Sequence, residues 1–161
     1  MSEMRILTVR QPWASALVFP VAEPNTGQVI VKNVENRAKN VAGAYRGTVA
    51  IHAAIQYDER AFSTSGTALA AWWNWYEGPL LDTTRGHIVG VVDLVAVHAV
   101  DEVGCMAAID VCSPWADTAI GTHHLRFENP RPLAEPIPYR GALGLRKLDA
   151  DTTAAVLAAI A

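Results

Sequence analysis

Short apolar segments alternate with dense polar clusters in the first third of this chain, and the apolar segments predict its secondary structure. Residues 5–9 are rich in strand-forming side chains and predict a first strand. Residues 13–19 are typical of a short helix, with Pro12 near its first turn. A loop rich in Pro, Asn and Gly comes next, after which residues 28–36 predict a second strand and residues 46–54 a third.

The rest of the chain contains longer extended segments. Residues 88–100 form the longest apolar run and predict a central strand, followed by a mixed helix-and-loop region over residues 101–118. Residues 128–138 must be extended, because their prolines fix φ and disfavour the helical region for each preceding residue. Residues 140–146 predict a last strand kinked by glycines, and residues 152–160 a short helix capped by the preceding Asp.

These elements predict the fold class and the domain organisation. Five or six short strands with helices of uneven length, lacking regular βαβ spacing, indicate an α+β fold: a small β-barrel of five or six strands flanked by helices. The length of 161 residues suits a single domain over residues 1–161. Residues 63–86 are interpreted as an insertion into it, in which Trp72, Trp73 and Trp75 either pack against the core or stack on a ligand or partner.

Composition narrows the class of protein. Hydrophobic residues make up 51% of the chain and the net charge is −3, as in soluble globular proteins. The start resembles no secretory signal, and no window approaches the roughly 18 apolar residues of a membrane span, so we expect a cytoplasmic protein with no membrane partner. Cys105 and Cys112 fit neither zinc nor redox spacing, which favours two free buried thiols.

Charge is distributed unevenly along the chain. Residues 1–60 carry seven Lys and Arg against five Asp and Glu, whereas residues 61–161 carry six against eleven. A surface that binds phosphate is therefore expected in the N-terminal part, as a local patch and not as a basic coat.

Three polar clusters contain the candidate functional residues. Surface turns favour Gly, Asn, Asp and Ser, whereas these clusters combine Trp, Lys, Glu, Arg and His beside apolar segments, as in the lining of a cleft. The clusters are Arg10-Gln11-Pro12-Trp13, Lys32-Asn33-Val34-Glu35-Asn36-Arg37, and Tyr45-Arg46-Gly47 leading to Ile51-His52-Ala53. We expect them to line one binding or reaction cleft.

In the first cluster, the helix that begins at Trp13 offers free N–H groups. With Gln11 they could receive a phosphate or carbonyl oxygen, while the indole of Trp13 offers a stacking face or, alternatively, plugs the barrel. Arg10 either covers a barrel end with its aliphatic stem or binds phosphate.

In the second cluster, Glu35 and Arg37 share one face of a regular strand. Lys32 joins them in one cleft only if it precedes the strand or if a bulge intervenes. The pair Glu35 and Arg37 is either a structural ion pair or part of a site in which Glu35 accepts from a base amine or acts as general base. Lys32 and Arg37 would then neutralise phosphate or an oxyanion, and Asn36 would read a base edge or cap the turn.

In the third cluster, Arg46 begins a strand on which His52 lies near the end. A single His on a strand is more often a hydrogen-bonded core residue than a catalyst. His123 and His124 lack carboxylate or Cys neighbours at ligand spacing, so they are interpreted as surface or edge-strand residues. We therefore expect no metal site and no cofactor, and the sequence has neither a Gly-rich phosphate loop nor a nucleophile elbow.

Several blocks of the sequence resemble the ASCH domain (activating signal cointegrator homology). Their order and spacing match over nearly the whole chain. The blocks are residues 8–14 (TVRQPWA), 32–37 (KNVENR), 45–53 (YRGTVAIHA), 86–92 (GHIVGVV) and 135–145. The resemblance implies a fold similar to the PUA domain, a compact β-barrel with helices flanking a cleft.

For function, the resemblance implies three classes. Most members of the family are proposed to bind RNA or other nucleic acids, some small members are amidohydrolases of N4-acylated cytidine, and ribonuclease activity has been described for others. This chain departs from the amidohydrolases at Glu35, where their motif has a nucleophilic Thr three residues after the Lys. A carboxylate there cannot form the same acyl intermediate, although it could activate water.

The sequence thus predicts a protein that binds RNA, a modified nucleoside or a nucleotide in one cleft of a PUA-like barrel. The expected ligand-binding residues are Arg10, Gln11, Trp13, Asn36, Arg37, Arg46 and His52. The alternative is a hydrolase of a modified nucleoside, or a ribonuclease, with Lys32 and Glu35 as the catalytic residues.

Overall fold

The computed structural model describes residues 3–64, 67–100, 105 and 112–160. The described part is an α+β structure. Its elements in chain order are β1 (Arg5–Gln11), α1 (Trp13–Val18), β2 (Val21–Ala22), β3 (Val29–Ile30), β4 (Val34–Arg37), β5 (Gly47–Tyr57), α2 (Ala61–Thr64), α3 (Thr67–Asn74), α4 (Leu81–Thr84), β6 (His87–Ala99), β7 (His123–Pro138), β8 (Leu145–Lys147) and α5 (Ala150–Ile160).

Six of the strands form one sheet in the order β4-β7-β6-β5-β1-β8, and β2 pairs with β3 separately. Strands β1 and β5 are parallel, and the other neighbouring pairs are antiparallel. The main sheet has six strands, in agreement with the five or six predicted, and β2 and β3 are additional; the predicted closed barrel is wrong, because the sheet is open.

The open sheet still curves until strands from its two ends approach each other. Its edge strands β4 and β8 have only four and three residues, which leaves little backbone for a closing ladder. A side chain spans the opening instead: Arg37 Nη2 of β4 donates a hydrogen bond to the Thr8 carbonyl of β1 at 3.0 Å. A cleft lies between the two strands at this point.

Helix α1 covers the inner face of the sheet. Leu17 and Val18 are fully buried, and they belong to a core that includes Leu7, Ile51 and Val92. Strand β6 has a glycine, Gly90, directly under the helix. A Cβ built at Gly90 would lie 2.7 Å from Val18 Cβ and 2.8 Å from the Arg131 carbonyl oxygen, so only glycine lets α1 approach this closely.

Three predicted elements differ from the structure. The strand predicted over residues 28–36 is two strands, because the Lys32 amide donates to the Ala16 carbonyl at the end of α1 instead of continuing the ladder. The last strand is shorter than predicted. The last helix begins at Ala150, and its cap is Asp149 and not Asp151, since Asp149 Oδ1 accepts from the Thr152 amide at 2.8 Å.

The aromatic segment predicted as an insertion contains α3 and α4. Trp72 is fully buried and donates to the Phe19 carbonyl at 2.8 Å, whereas Trp73 and Trp75 are partly exposed. Trp72 thus packs against the core. Most of the helix-and-loop region predicted over residues 101–118 lies outside the described residues. Within the part of the chain that is described, no helix has the length and apolar character needed to cross a membrane.

Candidate functional site

A cleft of about 880 Å³ opens between β1, β4, β5 and the segment before β8. Its volume is within the range of small-molecule and cofactor sites. The residues that line it are Thr8, Arg10, Trp13, Lys32, Glu35, Asn36, Arg37, His52, Ala54, Ile55, Gln56, Asp58, Trp115, Arg140, Gly141, Ala142, Leu143 and Gly144. Seven of the nine residues predicted from the three polar clusters are among them.

Lys32, Glu35 and Arg37 meet in the wall of the cleft. Glu35 Oε2 accepts from Lys32 Nζ at 2.9 Å, and Glu35 Oε1 lies 3.4 Å from Arg37 Nε. Lys32 precedes β4, which is one of the two arrangements that the sequence allowed for convergence. Its side chain is only 4% exposed, and its ammonium group also donates to the Val34 carbonyl. Glu35 therefore holds two cations at one point of the wall.

Two indoles lie beside this triad. Lys32 Nζ sits 5.7 Å from the centroid of Trp13, and the Trp13 ring meets Trp115 edge to face at 6.5 Å. The Trp13 Nε1 donates to Asp58 Oδ2 at 2.8 Å, which fixes the plane of the ring. The cleft thus has an oriented aromatic wall next to buried charges, an arrangement suited to a flat, polar-edged ligand.

Asn36 connects β4 to the segment that contains Trp115. Its Nδ2 donates to the Trp115 carbonyl at 3.0 Å, and its Oδ1 accepts from the Asp117 amide at 2.8 Å. Both polar atoms of Asn36 are therefore engaged within the protein, and this residue positions Trp115.

Exposed arginines complete the cleft. Arg10 and Arg140 are exposed, and Arg10 Nη2 donates to Gln56 Oε1 at 2.9 Å. The cleft has more basic than acidic lining residues, although the whole chain is acidic: the basic ones are Arg10, Lys32, Arg37 and Arg140, and the acidic ones are Glu35 and Asp58. The opening therefore favours an anionic ligand.

His52 forms part of the cleft floor and is 1% exposed. Its Nε2 lies 2.8 Å from the Tyr139 carbonyl, which can only accept, so Nε2 carries the proton. Nδ1 then accepts from the Thr8 hydroxyl at 3.3 Å, and Thr8 Oγ1 accepts from the Ala142 amide at 3.3 Å. Burial lowers the pKa of His52, partly offset by the bond to Tyr139. The neutral ring clamps residues 139–142 against the sheet.

Gly141 lies directly over this clamp. A Cβ at position 141 would come within 2.8 Å of both His52 Cε1 and Thr8 Oγ1. The close approach of the backbone to the imidazole therefore depends on glycine at this position.

Two predicted ligand-binding residues do not lie in the cleft. Gln11 is fully buried: its Nε2 donates to Ser15 Oγ and Thr84 Oγ1, each at 2.8 Å, and its Oε1 accepts from the Ser15 amide at 2.9 Å. Gln11 thus caps α1 from inside and is not free to receive phosphate. The guanidinium of Arg46 folds back onto the Gly43 and Tyr45 carbonyls on the outer surface.

The structure adds residues that the three polar clusters did not indicate. Trp115 comes from the region predicted as mixed helix and loop, residues 140–144 belong to the predicted last strand, and neither these residues nor Asp58 were among the predicted site residues. The signal in the sequence was Gly141, because a glycine permits a close approach of backbone.

The interpretation of His124 as a surface or edge-strand residue is wrong. It is fully buried on β7, which lies between β4 and β6. Its Nδ1 is 3.4 Å from Cys105 Sγ and 3.3 Å from Cys112 Sγ. These neighbours are distant in sequence, which is why the spacing did not reveal them.

Comparison with solved structures supports the fold. No family model and no curated protein matches the sequence. Among solved structures, ASCH from Zymomonas mobilis is similar with a TM-score of 0.53 at 11% identity, covering 98% of this chain and 96% of that chain. A mutant form of the Zymomonas mobilis ASCH protein gives a TM-score of 0.54 at 11% identity, covering 99% of this chain and 100% of that chain. The chain has an ASCH-like fold, as the resemblance in sequence implied.

Proposed function

We propose that this protein binds single-stranded RNA and that the cleft takes up one base with its adjoining phosphates. The observation that carries the proposal is the convergence of an oriented indole, Trp13, with basic side chains around one cleft. Sequence-specific RNA recognition mostly uses unstacked bases, which pack on aromatic rings and bond through their edges. An ASCH-like fold is consistent with this ligand class.

The positions of the charges suggest how a nucleotide would lie. Arg10 and Arg140 are exposed at the opening, where phosphates can reach them without losing all their water. Lys32, Glu35 and Arg37 are buried deeper and paired with one another, so they present a fixed polar surface to a base edge. The base would pack against Trp13 and Trp115 between these two regions.

Fluorescence anisotropy with a short labelled single-stranded RNA tests the proposal. The double variant Arg10→Ala/Arg140→Ala should bind about tenfold or more weakly, since two phosphate contacts are lost. Arg46→Ala is the matched control, because Arg46 is an arginine outside the cleft, and it should bind like the wild type. Equal losses in both variants, or none in either, would place RNA binding away from the cleft.

A hydrolase acting on a modified nucleoside is the second candidate. The observation in its favour is the buried pair of Lys32 and Glu35 at 2.9 Å, since enzymes often keep such pairs beside the reacting bond. Both oxygens of Glu35 already face cations, however, which favours a holding role over proton transfer.

Glu35→Gln separates the two candidates, assayed with N4-acetylcytidine and with short RNAs, with and without divalent metal. A general base at position 35 predicts turnover by the wild type and a loss of about 10²–10⁴-fold in the variant. Binding without chemistry predicts no turnover by either protein. Turnover that depends on Glu35 would reverse the order of the two candidates.

A further inference from the structure

A second cluster of functional side chains lies outside the cleft. His98 of β6 and His124 of β7 are register partners on adjacent strands, and Cys105 and Cys112 approach them. One potential ligand atom from each of the four residues lies within 4.8 Å of all the others. Cys105 and His124 are buried, and Cys112 and His98 are partly buried. We propose that these four side chains bind one zinc ion as a structural Cys₂His₂ site.

Three of the six separations between the ligand atoms match those of a tetrahedral zinc ion. Zn–S bonds of about 2.3 Å and Zn–N bonds of about 2.0–2.1 Å place the ligand atoms of a tetrahedron about 3.3–3.8 Å apart. His98 Nε2 and His124 Nδ1 are 3.3 Å apart, and His124 Nδ1 lies 3.3 and 3.4 Å from the two sulfurs. The three measured separations thus already have the size of the edges of a zinc tetrahedron.

The protonation of His124 directs a lone pair into the cluster. Its Nε2 lies 2.7 Å from the Asp117 carbonyl, which accepts only, so Nε2 carries the proton and Nδ1 is unprotonated in the neutral ring. A backbone carbonyl that orients a histidine through its other nitrogen is a usual outer partner of a zinc ligand.

Hydrogen bonds to His124 Nδ1 alone cannot satisfy the three groups around it. Nδ1 of a neutral imidazole has one lone pair, yet three possible donors surround it: the Cys105 and Cys112 sulfurs and His98 Nε2. One lone pair cannot accept three hydrogen bonds. A cation in the centre satisfies all four atoms at once, and two thiolates balance the charge of Zn²⁺.

The site also connects to the cleft. Cys112 is followed by Ser113, whose hydroxyl donates to Asn33 Oδ1 and accepts from the Trp115 amide. On the other side, Asp117, which orients His124, donates its amide to Asn36. The zinc would thus fix both ends of the segment that positions Trp115. Four protein ligands leave no open position, so its role is structural and independent of what the cleft binds.

The first test is the metal content of the wild-type protein. After expression in zinc-supplemented medium and desalting, the protein should contain about one zinc ion per chain, measured by elemental mass spectrometry. Cobalt added after removal of zinc should give the intense visible bands of a tetrahedral ion and a sulfur-to-cobalt charge-transfer band. Zinc content near zero together with no such bands would overturn the proposal, as would a Cys105–Cys112 disulfide in the protein purified under reducing conditions.

Two variants assign the ligands. Cys112→Ser should lower the charge-transfer band by about half, since one of two thiolates is lost. His124→Gln should lower the zinc content, whereas His123→Gln, which changes the adjacent residue outside the cluster, should retain it. If His124→Gln fails to fold, the Cys112→Ser spectrum still decides, and an unchanged band would overturn the assignment.

Discussion

Lys32 and Glu35 form a buried pair whose energetics depend on both partners. Lys32→Met removes one cation and leaves Glu35 buried with Arg37 alone, so we expect a loss of about 3–5 kcal/mol in the free energy of unfolding. Lys32→Met/Glu35→Gln removes the uncompensated charge and should regain part of that loss. Urea unfolding of the two variants measures the difference, and a double variant less stable than Lys32→Met would contradict the pairing.

His52 gives the protein a pH dependence of stability. Because burial lowers its pKa in the folded state, the unfolded chain binds this proton more readily. The contribution of His52 to the free energy of unfolding is fully present above the ordinary histidine pKa of about 6.5, and it is lost as the pH falls below that value. The titratable groups that face His52 are Tyr139 and His87.

His52→Gln tests this dependence, since a glutamine amide can still donate to the Tyr139 carbonyl. Between about pH 7 and pH 5, the unfolding free energy should fall more steeply with pH for the wild type than for the variant. The difference in slope should correspond to the uptake of at most about one proton on unfolding. Parallel profiles for wild type and His52→Gln would show that His52 titrates as in the unfolded chain.

At the level of elements, the contact between α1 and β6 depends on one glycine. A methyl group at Gly90 would overlap Val18 and the Arg131 carbonyl, so Gly90→Ala should destabilise the protein by about 1–3 kcal/mol. With Val18→Gly added, the combined loss should be smaller than the sum of the two single losses, because glycine removes the Val18 side-chain atoms that the new methyl group overlaps. Denaturant midpoints measure this coupling, and strictly additive losses would show that the helix does not press on Gly90.

The elements also show what local sequence could and could not predict. Helix α1 and strands β5 and β6 were predicted because their apolar periodicity is strong and their burial follows from it. The break between β3 and β4 was not, since it depends on a hydrogen bond from Lys32 to Ala16, a partner on another element. Closure of the sheet was predicted wrongly because strand number does not determine whether edge strands are long enough to pair.

The sequence likewise predicted only part of the candidate site. Lys32, Glu35 and Arg37 were predicted to converge because they crowd into one short segment. Gln11 was placed in the cleft because its burial depends in part on a hydrogen bond to Thr84, far along the chain. The Cys₂His₂ cluster was missed for a similar reason, since His98 and His124 come together through the register of β6 and β7 and both cysteines lie outside those strands.

For the whole molecule, the small basic opening of the cleft in an acidic chain predicts that the affinity for RNA depends only weakly on salt concentration. Contacts through Arg10 and Arg140 correspond to a slope of about −1.4 in log affinity against log salt for a single strand. Anisotropy titrations over a range of salt concentrations give this slope. A slope of about −5 or steeper would require phosphate contacts over a wider surface than the cleft offers.

The central claim is that the cleft is the RNA-binding surface, and the five tryptophan indoles test it most directly in one NMR titration. Trp13 and Trp115 line the cleft, whereas Trp72, Trp73 and Trp75 lie in the aromatic segment of α3 and the turn after it. With a short single-stranded RNA, the indole N–H signals of Trp13 and Trp115 should shift while the other three stay in place. Shifts confined to Trp73 and Trp75, with those of Trp13 and Trp115 unchanged, would contradict the account.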